Sequence, residues 1–150
     1  MMKYARLAAA AALALSLAAP VSVSAQADEW PVTSGDYVEI SMIKVDDGHG
    51  LEYVQYLAGN WRKSQDYAKQ QGWISGYEIW TNEYAREDEA DIYLVTFTPQ
   101  LPDAAEAERR DRQYRQYMAQ TIAQQEAASA GRAEYRHLAG SMLLRRQNWK

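Results

Sequence analysis

The chain has 150 residues, the size of one domain, and its 20 acidic against 16 basic side chains give a formal net charge of −4 at pH 7. A nucleic-acid partner is not expected, because no basic stripe able to displace counterions from phosphates is present. The sequence has no cysteine, which excludes disulfides, thiolate metal sites and a cysteine nucleophile.

The first 25 residues have the composition of a secretory signal peptide. Lys3 and Arg6 give a positive start, an apolar run follows, and small residues allow cleavage after Ala25 or after Ala27. The apolar run is too short for a membrane anchor, because about 13 helical residues span about 20 Å of a hydrocarbon core roughly 30 Å thick. We therefore expect a soluble protein, exported to a bacterial periplasm or secreted, with no membrane association after cleavage.

Residues 26–36 mix turn formers with one Trp-Pro pair and predict an N-terminal arm, so the folded domain is expected to cover residues 37–150. Residues 37–45 alternate with a period of two, which indicates a strand with unlike faces. One face would carry Val38, Ile40 and Met42, and the other would carry Tyr37, Glu39, Ser41 and Ile43.

The segment DDGHG at residues 46–50 supplies turn formers and a helix start. Its His49 lies between two glycines, which do little to hold the ring in place for catalysis, so we interpret the segment as a turn. Asp46, Asp47 and His49 have no further ligands at the spacing of a zinc or calcium site, and no metal site is predicted.

Residues 51–71 repeat apolar side chains every three or four positions, which predicts a helix that ends at Gly72. Trp61 lies on the apolar stripe, and two interpretations are open: it packs in the core, or it lines a pocket where the helix meets the sheet. Residues 74–82 and 91–98 are rich in aromatic and β-branched side chains, and the charged stretch between them predicts a hairpin.

Residues 103–130 predict a second long helix. Asp103 and Glu106 have the spacing of a capping box, and acidic residues precede arginines by four positions at three places. A break is expected near Ser129. Residues 134–145 then predict a closing strand. Leu138, Met142 and Leu144 would share one face of it, and Tyr135, His137, Ala139, Ser141 and Leu143 the other.

The predicted order is therefore βαββαβ, which gives an α+β protein of the ferredoxin-like class. Two right-handed crossovers around a hairpin place the four antiparallel strands in the order 4-1-3-2, with both helices on one face of the sheet. The other face would expose apolar side chains, and we expect a second copy to cover it in a homodimer. The side chains assigned to that face are Tyr93, Val95, Phe97, Tyr77 and Ile79.

Three stretches, YVEISMIKVDDGHGLEYVQYLAGNW, GWISGYEIW and YRHLAGSMLL, resemble the dimeric α+β barrel superfamily. That superfamily includes antibiotic-biosynthesis monooxygenases and stress-responsive barrel proteins, and the resemblance covers most of residues 37–146. It implies a ferredoxin-like homodimer whose two sheets face each other and can hold a small hydrophobic or aromatic molecule. Some members act on that molecule without a cofactor. Haem-degrading members have an Asn near the first strand that this chain lacks, so their activity is not implied.

In that sheet order, four polar side chains would lie close together on one face. Glu39 and Ser41 belong to the central first strand, and His137 and Tyr93 to its two neighbours. A carboxylate, an imidazole and a phenol in a partly apolar space are suited to proton transfer. The alternative is structural: Glu39 or His137 meets solvent at the edge or pairs across strands with Arg136 or Tyr135. With Trp61, these residues are the ligand-binding candidates, and no catalytic residue is assigned.

The sequence leaves three functions open. The first is binding of a small apolar or aromatic ligand between the sheets of a dimer, the second is a cofactor-independent oxygenase or isomerase that uses the same lumen, and the third is an interaction module with a filled barrel. Hydrolase, nucleotide-binding and zinc-protease motifs are absent, so no cofactor is expected.

Overall fold

The computed structural model describes residues 29–150, and the predicted signal peptide and its cleavage site lie outside the described residues. The elements in chain order are β1 Val32–Val45, α1 Gly50–Tyr56, α2 Arg62–Gln70, β2 Gly76–Thr81, β3 Ile92–Thr98, α3 Ala104–Met118, α4 Ile122–Arg132 and β4 Arg136–Trp149. A five-residue π-helical turn, Leu57–Trp61, joins α1 to α2. The α+β class is confirmed.

The four strands form one sheet in the order β2-β3-β1-β4, and every neighbouring pair is antiparallel. This order was predicted from the element sequence, and it is compatible with a ferredoxin-like fold. The longest strands, β1 and β4, are neighbours, and β2 and β4 form the two edges.

The strand register assigns each side chain to one of two faces, because directly paired residues of antiparallel strands share a face. On the first, which we call the helix face, the rows across the sheet are Thr81-Ile92-Ile43-Leu138, Ile79-Leu94-Ser41-Ser141 and Tyr77-Thr96-Glu39-Leu143. On the second, the far face, they are Trp80-Tyr93-Met42-Gly140, Glu78-Val95-Ile40-Met142 and Gly76-Phe97-Val38-Leu144.

The main hydrophobic core lies between the helix face and the first helices. Tyr53 and Leu57 pack against Ile43 and Ile92, and all four side chains are buried. Removing such side chains from water contributes about 1.5–3 kcal/mol each to folding. Among the described residues, the ring contacts and cavities that join helices to the sheet lie on this face.

The predicted helix over residues 51–71 is interrupted by the π-helical turn. The turn contains Gly59 and Asn60, both weaker helix formers than the leucines and alanines around them. A π turn inserts one extra residue into the helix and rotates everything after it by about 100°. The helix ends as predicted, because Gly72 adopts a positive φ of 71° that suits a glycine.

The second helical region divides ten residues earlier than predicted. The break occurs at Ala119, with φ at 52°, and not near Ser129. Thr121 then caps α4 in a capping box with Gln124, which the sequence analysis did not identify. One half of the capping box predicted for α3 is present, since the Asp103 carboxylate accepts a hydrogen bond from the Glu106 amide at 2.8 Å. The Glu106 side chain instead pairs with Arg109 and Arg110.

Strands β1 and β4 are longer than predicted, and their pairing contains two register shifts. Residues 32–34, part of the predicted arm of residues 26–36, pair with β4, which continues to Trp149 and not only to residue 145. The side chains of residues 32–36 do not alternate between apolar and polar. Beyond the end of β3, strands β1 and β4 pair only with each other. A bulge shifts the register between Met42 and Ile43 and leaves Ala139 without a partner.

Candidate functional site

The four polar candidates on the strands do not share a face, so that expectation was wrong. Glu39 pairs with Thr96 on the helix face, and Ser41 lies two residues further along the same face. Tyr93 pairs with Met42 and His137 with Lys44, which places both on the far face. The sheet order alone could not reveal this, because a one-residue change of register exchanges the faces of a strand.

The bulge in β4 explains the position of His137. With Ala139 left out of the pairing, residues before it change faces relative to the predicted alternation, so Leu138 joins the helix face and His137 joins the far face. His137 Nε2 lies 3.0 Å from Asp46 Oδ1, and both side chains are about half exposed. The structural alternative had named Arg136 or Tyr135 as its partner, and the partner is instead the turn after β1.

His49 occupies the turn, as predicted. It is the residue before α1, its ring stacks on Tyr135 at 5.1 Å between centroids, and its Nδ1 lies 3.0 Å from Glu52 Oε2. The ring therefore holds the start of the helix against the chain that leads into β4.

The far face carries two adjoining clefts of about 380 Å³ each. Ile40 and Trp80 contribute to both, and the remaining walls are mainly apolar or aromatic. The other apolar and aromatic wall residues are Val38, Phe97, Leu144, Tyr93 and Met142. Tyr93, Val95 and Phe97 belong to this face as predicted, whereas Tyr77 and Ile79 do not, because they pair with Thr96 and Leu94 on the helix face.

Glu78 is the carboxylate in the central row of the far face. It accepts a hydrogen bond of 2.7 Å from the indole Nε1 of Trp80, two residues along the same strand. Arg146 lies at the rim of the same cleft, with its guanidinium 5.1 Å from the centre of the Phe97 ring. Neither residue was predicted from the sequence, although Glu78, between aromatic residues in a predicted strand, is a signal for a polar group on an apolar face.

A third cavity, of about 230 Å³, lies where the helices meet the edge strand β2. Its walls are formed by Val54, Leu57, Ala58, Trp61, Arg62, Tyr77 and Ile79. We call it the border cavity. The Trp61 and Tyr77 rings meet edge to face at 5.3 Å. Trp61 fits both of its interpretations, because it packs against the core cluster and also forms part of the cavity wall.

Polar groups are concentrated at one side of the border cavity. The Tyr77 hydroxyl donates a hydrogen bond to Asp66 Oδ1 at 2.5 Å, and Arg62 Nε lies 3.8 Å from the other oxygen of that carboxylate. The hydrogen bond to Asp66 raises the pKa of the Tyr77 phenol, because the carboxylate stabilises the protonated form. The cavity wall therefore combines apolar side chains with the phenol of Tyr77 and the guanidinium of Arg62, and the Asp66 carboxylate binds the phenol from outside the wall.

The π-helical turn determines which residues reach the border cavity. Leu57, Ala58 and Trp61 all belong to it, and Arg62 follows directly. Short π-helical segments inside α-helices are frequent at functional sites. The sequence signal was the pair Gly59-Asn60 inside an otherwise regular helical pattern, which the apolar periodicity alone does not register.

A larger, open groove of about 530 Å³ lies at the junction of α3 and α4. Its two arginines, Arg112 and Arg115, pair with Glu108 and Asp111 of their own helix. With these charges already compensated and its walls formed by solvated helix ends, the groove is a weaker candidate than the other cavities.

Residues 29–150 contain no group of three or more His, Asp or Glu side chains arranged to hold a metal ion. The helices of this part of the chain are all too short or too polar to cross a bilayer. Comparison with models of known protein families, with curated proteins and with solved structures found no match to the chain.

Proposed function

We propose that the protein is a ferredoxin-like homodimer of the dimeric α+β barrel type that binds a small apolar or aromatic compound between its two sheets. The observation that carries this proposal is the far face, where two adjoining clefts are walled by apolar and aromatic side chains around a single carboxylate, Glu78. Ligand pockets commonly combine an apolar lining with a few polar groups that orient the ligand.

A second copy is part of the proposal because the far face is apolar and partly exposed. Trp80 is 45% exposed and Leu144 is 48% exposed, and they stand at opposite corners of the three rows. Continuous apolar patches of this kind mark interfaces or ligand sites. A second sheet would convert the open clefts into an enclosed lumen.

The border cavity supports a second location for the same class of ligand. Its volume of about 230 Å³ suits a compound of one or two rings, and the Trp61 and Tyr77 rings offer edge and face contacts to such a compound. A ligand there would contact a single copy and would not require the dimer.

An enzymatic role is the first alternative. Tyr93 and Glu78 line the far-face clefts, so a cofactor-independent oxygenase or isomerase would have a phenol and a carboxylate available for proton transfer in the lumen. His137 lies on the same face outside the clefts, where it pairs with Asp46. The second alternative is a non-catalytic interaction module, in which the partner copy's side chains fill the clefts.

Export to the periplasm or outside the cell is also part of the proposal, and the predicted signal peptide supports it. Mass measurement of protein purified from the periplasm tests this directly: loss of residues 1–25 or 1–27 is expected, and a full-length cytoplasmic product would contradict it.

Binding is tested with protein purified from its own periplasm. Native mass spectrometry reports the subunit number and any retained compound together, and a dimer carrying a small molecule is the expected result. Titration with 1-naphthol then compares Trp80→Phe with Trp61→Phe, two matched losses of an indole. A lumen ligand is weakened about tenfold by Trp80→Phe only, whereas a border-cavity ligand is weakened by Trp61→Phe only. Unaltered binding in both variants would exclude both sites.

A further inference from the structure

The far-face cleft lined by Phe97, which we call the Phe97 cleft, contains two charged side chains that do not neutralise each other. Glu78 and Arg146 both belong to its wall, and neither forms an ion pair with any of the described residues. The Asp36 carboxylate, on the strand beside Arg146, accepts a hydrogen bond from Ser75 instead. Glu78 and Arg146 are exposed in a single copy, so both charges are available to a ligand.

Arg146 is the cation of the Phe97 cleft that remains open to a ligand. Its guanidinium carbon lies 5.1 Å from the centre of the Phe97 ring. Such a ring contact uses the face of the guanidinium, whereas the N–H donors lie in its plane, and none of the described residues accepts a hydrogen bond from them. The other arginine of the wall, Arg145, donates a hydrogen bond of 2.7 Å to the Tyr37 hydroxyl. A planar guanidinium with free donors matches a carboxylate, because the two groups can form a pair of parallel hydrogen bonds.

Glu78 supplies the opposite chemistry, that of a hydrogen-bond acceptor. The indole Nε1 of Trp80 donates to its Oε2 at 2.7 Å and so holds the carboxylate in one position. The two oxygens of a carboxylate offer about four acceptor sites, and this bond uses one of them. Glu78 can therefore accept a hydrogen bond from a hydroxyl or amino group of a ligand in the same cleft.

The two groups are separated by a distance that a planar aromatic compound can span. Phe97 of β3 pairs with Gly76 of β2, and Glu78 follows two residues further along β2. With roughly 3.3 Å per residue and about 4.8 Å between strands, the backbones of Glu78 and Phe97 are about 8 Å apart. The Arg146 guanidinium lies over Phe97, so a compound of one or two fused rings can reach both groups across the apolar wall. The cleft volume of about 380 Å³ is sufficient for such a compound.

We propose that the ligand of the Phe97 cleft is an aromatic carboxylic acid with a hydroxyl or amino group at its opposite end. Arg146 binds the carboxylate, Glu78 accepts a hydrogen bond from the opposite end, and the apolar wall covers the rings. This inference rests on the proposed ligand site of the far face, and it adds the class of compound and the two residues that select it. A compound bound with its carboxylate at Glu78 would bring like charges together, so the pair also fixes the direction of binding.

The test measures the dissociation constants of three naphthalene compounds by fluorescence titration of the purified protein. The compounds 2-naphthoate and 2-naphthamide have the same shape and differ in charge, and 6-hydroxy-2-naphthoate adds the second polar group. We expect naphthoate to bind about tenfold more tightly than naphthamide, and the hydroxyl group to add about threefold. Arg146→Met should remove the preference for the acid and leave the affinity for naphthamide unchanged, which shows that the cleft is still folded. Glu78→Met should remove only the gain from the hydroxyl group.

Arg86→Met serves as the matched control. Arg86 belongs to the loop between β2 and β3, its side chain is 87% exposed, and it lines neither far-face cleft, so the loss of its charge should alter no affinity. Equal binding of naphthoate and naphthamide, both weakened by Trp80→Phe, would overturn the inference and leave the ligand site of the far face in place. A preference for the acid that Arg146→Met does not alter would also overturn it. If Trp80→Phe weakens none of the three compounds, the far-face site itself is refuted, and the inference with it.

Discussion

The two faces of the sheet bury their apolar side chains in different ways. On the helix face, Tyr53 and Leu57 come from the same chain and bury Ile43 and Ile92 completely, so this core exists in a single copy. On the far face, the cross-strand pair Ile40 and Val95 is buried, but the side chains around it remain partly exposed. The comparison suggests that one face provides the fold's own stability and the other provides association and ligand binding.

The largest expected effect is a loss of the stability that the helix face provides. Leu57→Ala removes a fully buried side chain from the π-helical turn and leaves a cavity beside Ile43, so the free energy of unfolding should fall by about 2–5 kcal/mol at every protein concentration. Chemical denaturation measures this loss.

Leu144→Ala is the matched change on the far face. Leu144 is half exposed in one copy, so its truncation should alter the stability of the monomer by less than about 0.5 kcal/mol. It should lower the melting temperature only at concentrations where the parent dimerises. Equal, concentration-independent losses for the two variants would remove the distinction between the faces.

Alkaline pH should weaken the helix face selectively. Burial raises the pKa of Tyr53 to about 12, whereas an unfolded tyrosine titrates near 10. Below about pH 10 both states keep the proton; between about pH 10 and 12 only the unfolded state loses it, so the free energy of unfolding falls as pH rises. Denaturation at several pH values should show a shallower fall for Tyr53→Phe. Part of the slope should remain, because burial also raises the pKa of Tyr114.

A smaller effect on stability is expected at two glycines of the far face, Gly140 and Gly76. A Cβ on Gly140 would lie 2.6 Å from Met42 Cε, whereas one on Gly76 would lie at an ordinary 3.6 Å from the Phe97 ring. Because Met42 Cε is the end of a flexible side chain that can move aside, Gly140→Ala should cost at most about 1 kcal/mol, and Gly76→Ala close to nothing. A double-mutant cycle with Met42→Val should relieve most of the Gly140→Ala cost, and its absence would place the strain elsewhere.

The pattern of the sequence was sufficient for the strand order but not for the faces. Periodicity predicted the elements, and the rule of right-handed crossovers around a hairpin then predicted the order 4-1-3-2 that the sheet has. Which side chains meet depends on register, and the bulge at Ala139 leaves no trace in the pattern of apolar residues. His137 and Glu39 were therefore assigned to one face and lie on two.

Only part of the border cavity could be predicted from the sequence. From its position on the apolar stripe, Trp61 was expected either in the core or at a border pocket, and it contacts both the core cluster and the cavity. Its polar side depends on Asp66, which does not belong to the apolar stripe that includes Trp61. Its hydrogen bond with Tyr77 of β2 joins two elements whose packing the sequence pattern does not specify, so the pair could not be predicted.

The smallest expected effect on stability concerns the hydrogen-bonded pair of Asp66 and Tyr77. Asp66→Asn keeps an oxygen that accepts the Tyr77 hydrogen bond but removes the negative charge, so the pKa of Tyr77 should fall back toward its ordinary value while the fold is retained. Absorbance titration, with Tyr77→Phe to identify the transition, measures the shift. Because the pair is exposed to solvent, unfolding should change by no more than a few tenths of a kcal/mol. If a compound occupies the border cavity, Asp66→Asn should weaken ligands that carry a hydrogen-bond donor and leave naphthalene unaffected. A uniform loss for both would mean that Asp66 only supports the wall of the border cavity.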